Sequence, residues 1–157
     1  TLIARESDIP ALEPCHCHTV QMNAFEPKIL LITADAATIS EGKINMLGAG
    51  WTRISAGLSN FCVVVRLDIP WSMTNSDLDW SLDLTDEDGR LYEPTQDSGG
   101  LHLEGQVQVG RPDDLPDGAS LEAPMVLPFI QLPLRKGTFE WRFQLASTVA
   151  KYSFSAV

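Results

Sequence analysis

The chain of 157 residues is 44% hydrophobic and 20% charged, and its 21 acidic against 11 basic side chains leave a net charge of −10. That length suits one ordinary domain, which at about 150 residues buries about 70% of the unfolded chain's surface and needs no metal or disulfide to hold a core. The acidic balance speaks against a general nucleic-acid or anionic-membrane binder, since both need a cationic face, and no apolar run approaches the ~20 residues of a membrane-spanning helix.

Residues 1–27 read as an extended N-terminal arm. Pro10, Pro14 and Pro27 interrupt them, and their apolar residues keep no sustained period. The opening Thr1–Asp8 lacks the cationic start and apolar stretch of a signal peptide. A chain beginning at Thr1 is what removal of an initiator methionine leaves, so the compartment expected on synthesis is the cytoplasm. Arms of this kind are loose unless something ties them down. The expected tie is the arm's own domain, a neighbouring copy or a larger assembly such as a capsid, and the last is the one the functional expectation takes up.

The arm also holds Cys15, His16, Cys17 and His18, the residue types that zinc prefers. In an extended segment Cys15 and Cys17 point one way, and His16 and His18 the other. Closing a site would need Cys62 or His102 as well, and no Cys-x2-Cys pair accompanies the stretch. No structural zinc and no cofactor are expected. Three cysteines are an odd number, read as reduced thiols and not as a disulfide framework.

From Lys28 to Val157 the pattern is β throughout. Ile29–Ile32 is a continuous apolar run, as in a strand buried on both faces. Ser40–Lys43 is a turn, Ile44–Leu47 returns, and Gly48 and Gly50 precede a strand over Trp51–Ile54. Phe61, Val63, Val65, Leu67 and Ile69 fall on one face and end at Pro70. Leu78, Trp80, Leu82 and Leu84 alternate with polar residues, which places one face in a core and one in water. Asp86–Gly89 turns the chain, with a return beginning over Arg90–Glu93. Leu101, Leu103, Val107 and Val109 form another inward set, with Gly105 in the same row marking a bulge or a close approach. Residues 110–119 form a long loop. Ser120–Pro133 is extended, but Pro124, Pro128 and Pro133 remove ladder donors and make it an edge or bulged strand. Phe139, Trp141, Phe143 and Leu145 form one more inward row, and Tyr152, Phe154 and Ala156 the last. About nine short strands and no amphipathic helix predict an all-β, two-layer antiparallel β-sandwich of immunoglobulin-like or jelly-roll topology.

Chemistry is harder to find than fold. Asp83, Asp86, Asp88 and Gly89 have some of the spacing of a calcium loop, but position 84 is Leu84 and the flanking helices are missing, so a hairpin turn is the reading. Nucleophilic catalysis needs a base beside the nucleophile and an oxyanion site. There is no Gly-x-Ser-x-Gly, and the one histidine outside the arm, His102, lies on an outward row. Trp80 and Trp141 belong to inward rows, whereas Trp51 and Trp71 sit at strand ends, where an exposed indole could stack on a sugar ring or anchor an interface. Between Asp68 and Glu122 fourteen carboxylates face two bases, Arg90 and Arg111, which fits a solvated sheet face or a docking surface for a basic partner or cations.

The stretches Ala34–Ala37, Glu41–Asn45, Leu47–Thr52, Ile69–Trp71, Leu84–Gly89, Val109–Pro112 and Leu134–Trp141 resemble features of a family of uncharacterised small β-sandwich proteins of actinobacteria and their phages. The resemblance begins near residue 28 and leaves the arm outside. It implies the sandwich fold and no established activity or catalytic residue.

The expected protein is therefore a non-enzymatic structural or interaction module, with residues 1–27 as arm and 28–157 as sandwich. It docks on a larger assembly through the arm, most concretely as a capsid decoration or accessory protein of a phage virion. The alternative is a carbohydrate or small-ligand binding module with Trp51 or Trp71 as platform, and a metal-dependent enzyme is the lesser one.

Overall fold

Period-two rows of aromatic and branched side chains pair where both rows can bury one face. The computed structural model describes residues 26–96 and 98–157, and the arm motif Cys15–His18 lies outside them. Strands β1 (Lys28–Ala34), β5 (Gly57–Ile69) and β8 (Leu121–Leu134) form one sheet in the order β1-β5-β8. The facing sheet holds β4 (Arg53–Ile54), β6 (Asp77–Asp86), β7 (His102–Gln108), β9 (Gly137–Leu145) and β10 (Thr148–Ala156), in the order β4-β10-β9-β6-β7. A hairpin of β2 (Ala36–Ser40) and β3 (Lys43–Leu47) stands apart from both. Apart from a 3-10 turn at Trp71–Met73, the described residues form no helix.

The strand order selects one of the two expected topologies. β5 pairs with β8 in one sheet, β9 with β6 and β10 in the other, and all of these pairs are antiparallel. The first edge changes sheets: β1 pairs with β5, while β4 lies parallel to β10. That arrangement is immunoglobulin-like. The core between the sheets is built from the predicted rows, with Phe61, Val63, Val65, Leu67 and Ile69 facing Leu82, Leu84, Phe139, Trp141, Phe143 and Leu145. Phe61 is central among the rings, touching Trp51, Phe129, Trp141 and Phe154.

Three expectations need correction. Ile29–Ile32 is not buried on both faces, because β1 is an edge strand and Leu30 is 52% exposed. The strand buried on both faces is β5, whose second row, Cys62 and Val64, lies in a small separate core with Ala34, flanked by Ile32, Ala37, Ile44 and Val126. Arg90–Glu93 starts no strand. Leu91 makes an isolated bridge to Thr85, and the return strand begins at His102. The predicted strand over Trp51–Ile54 shrinks to Arg53–Ile54.

Other expectations hold in detail. Glu41 and Gly42 both have positive φ, 51° and 72°, the conformation of the two-residue turn that matches strand twist. β8 is an edge strand, and its register shifts opposite Ser59 and Phe61, where Gln131 adopts φ 53° and donates its N–H to Asn60 Oδ1 at 2.7 Å. Gly105 marks a close approach. A Cβ there would lie 2.8 Å from Cζ2 of Trp80, whose indole stacks on Phe143.

Candidate functional site

The motifs that carry the resemblance meet in pairs across the fold. Pro70 opens the 3-10 turn that presents Trp71, and the guanidinium of Arg111 stacks on the indole 3.8 Å from its centroid. Arg111 donates to Trp71 O and Thr74 Oγ1, its backbone N–H donates to Asn75 Oδ1, and Asn75 N–H donates to Val109 O. Asn75 takes positive φ to do so, at 58°. One face of Trp71 is thus covered by its own chain.

A second junction joins Leu84–Gly89 to Leu134–Trp141. Asp86 Oδ1 accepts the N–H groups of Asp88 and Arg90, while Oδ2 accepts Arg135 at 2.7 Å. Burial pushes the Asp86 carboxyl up, but the N–H groups of Arg90 and Asp88 and the Arg135 guanidinium outweigh it and hold the group below its ordinary value. The Arg135 guanidinium also lies over the ring of the buried Tyr92. The acidic turn is a braced hairpin corner.

A third junction closes the β2–β3 insertion onto the sandwich. Asp35 N–H donates to Leu47 O, Gly50 N–H to Thr33 O, and Thr33 Oγ1 to Trp51 O. Tyr152 OH donates to the same Trp51 carbonyl at 2.8 Å. The Trp51 indole meets Phe61 and Phe154 edge to face and packs against the main core. Trp51 is therefore a half-buried tryptophan whose indole is engaged with the core, while Trp71 is half-buried beneath the Arg111 guanidinium.

Of the residues considered as metal ligands, Cys62 and His102 are described, and they do not converge. Cys62 is buried beneath the hairpin, whereas His102 lies exposed on the other sheet. His102 Nδ1 is 2.5 Å from Asp83 Oδ1, and Nε2 is 3.5 Å from Glu104 Oε2. The hydrogen bond to Asp83, and after it that to Glu104, raises the imidazole pKa above its ordinary value. Among the described residues no group of three His, Cys, Asp or Glu side chains is placed to hold a metal ion.

What the sequence reading missed is the outer face of the three-stranded sheet. Its outward residues run in rows set by register: Leu30, Arg66 and Pro124, then Ile32, Val64 and Val126, then Ala34, Cys62 and Pro128. The hairpin covers the middle rows alone. Leu58 (69% exposed) and Ile130 (79%) stand beyond one side, and Leu47 on the hairpin is 71% exposed. On the other side a cleft of about 300 Å³ opens between hairpin and sheet, lined by Leu30, Lys43, Ile44, Met46, Arg66 and Pro124 among others. The signal was present in β5, whose two rows are both apolar from Phe61 to Val65, the mark of a strand covered on each side.

These observations define an immunoglobulin-like β-sandwich whose corners are braced by Arg111, Asp86 and Arg135. The chain belongs to DUF6941, a family of unknown function whose profile matches residues 29–150. No curated protein matches it.

Proposed function

We propose that the protein is a non-enzymatic interaction module that docks on a larger assembly through its N-terminal arm and the apolar outer face of the three-stranded sheet. The observation that carries this reading is that face, where Leu30, Leu58 and Ile130 are each more than half exposed on the outside of a sandwich. Apolar exposure on both sides of the hairpin, with Leu47 on the hairpin itself, fits an interaction surface spread over that face. The motif residues add support, because Asp86, Arg111 and Arg135 are engaged in holding corners. The most concrete version is a capsid decoration or accessory protein of an actinobacterial phage, made in the cytoplasm and carried on the virion.

Purified particles test it. The protein is expected to co-purify with virions in a fixed copy number, and Leu58→Asp with Ile130→Asp is expected to remove it while leaving its soluble fold intact. Particles that lack the protein, or that retain the double variant and a variant without residues 1–27, would sink the reading.

A further inference from the structure

We propose that the cleft between the β2–β3 hairpin and the sheet is the seat of the protein's own N-terminal segment, residues 1–25. The cleft has an apolar floor and wall in Leu30, Pro124, Ile44 and Met46, with Lys43 and the Arg66–Glu122 ion pair among its polar lining. Leu30 and Met46 are 52% and 43% exposed there. The chain enters the described part at Glu26, four positions before Leu30, so the segment starts at the same end of the sheet as the cleft.

Length and composition suit the segment to that place. Twenty-five residues can extend to about 80 Å, far more than the cleft requires. They carry Leu2, Ile3, Ile9 and Leu12 for an apolar floor. The connection settles which copy supplies the segment. A tether of a few residues gives an effective concentration on the order of millimolar, above what a second copy reaches at ordinary protein concentrations.

In the free protein, then, two parts of the proposed docking surface cover one another, and a partner gains both by displacing the segment. This inference concerns the free protein and stands apart from the docking reading. In the full chain, p-benzoylphenylalanine is placed at Met46, irradiated, and its adducts mapped by mass spectrometry. The expected adducts run at monomer mass, fall within residues 1–25, and exceed by about fivefold those from the same group at Leu58, on the far side of the face. The same label at Leu30 repeats the measurement with a different substitution. Equal yields from Met46 and Leu58, adducts found only at dimer mass, or no adduct to the segment would overturn the inference. Virion co-purification does not depend on this result, so either idea can fail alone.

Discussion

The smallest features of this sandwich are individual residues whose chemistry is committed to one neighbour. Gly105 leaves room for the Trp80 indole, which lies between it and Phe143. Gly105→Ala should force the ring off Phe143 and cost about 1–3 kcal/mol, the usual range for overpacking, read by urea denaturation. A second prediction concerns charge. The folded pKa of His102 is raised by Asp83 and then Glu104, so its protonated form contributes stability that is complete below the ordinary histidine value of about 6.5. That contribution fades as pH rises through the raised folded value. Loss of solvation opposes but does not reverse the effect. The stability gap between the parent and His102→Gln should therefore be widest near pH 6 and close on the alkaline side. A gap independent of pH would contradict the ion-pair assignment. Asp86 has the opposite sign, its contribution being lost as pH falls through its depressed value.

At the scale of elements, the parts legible in the sequence were those whose pattern is local. The alternation of Leu78–Thr85 and of Phe139–Leu145 maps onto β6 and β9, and the three prolines place β8 at an edge. The β2–β3 hairpin was legible as a hairpin but not as a cover. Ile39 and Ile44 read equally well as residues of a sheet strand, and only the second apolar row of β5 hints that something lies over it. Nor could the Trp71–Arg111 stack be read, because it joins two loops forty positions apart with no periodic signal. The cover can be tested through the thiol beneath it. Ile44 packs against the small core that includes Cys62. Ile44→Ala should cost about 1–2 kcal/mol, less than a fully buried isoleucine, because Ile44 is half-buried. Alkylation of Cys62, followed by peptide mapping, should quicken by about tenfold, the factor carried by about 1.4 kcal/mol of local opening. An unchanged rate would mean that the hairpin does not guard the thiol.

For the molecule as a whole, the question is what keeps two sheets and their corners in one cooperative unit. Hydrophobic contact between the sheets is the larger force, but it is non-directional and fixes no corner. Tyr92 supplies direction. Its backbone is hydrogen-bonded alongside the five-stranded sheet, donating its N–H to Leu84 O on β6 and accepting from Leu101 N–H, while its ring meets Phe139. Its hydroxyl donates to Pro133 O at 2.9 Å and accepts the N–H of Arg135 at 3.1 Å, where β8 of the other sheet turns towards β9. One side chain, 3% exposed, therefore ties the two layers at the corner that Asp86 and Arg135 also brace. Tyr92→Phe keeps the ring and its packing but leaves a carbonyl and an N–H without the hydroxyl. The expected loss is about 1–3 kcal/mol, the cost of buried polar groups left unsatisfied. Because the core is untouched, unfolding should remain a single transition with an unchanged denaturant slope and a lower midpoint. A lower slope or two separate transitions would show instead that the hydroxyl holds the layers together as one unit, and that the hydrophobic interface alone does not.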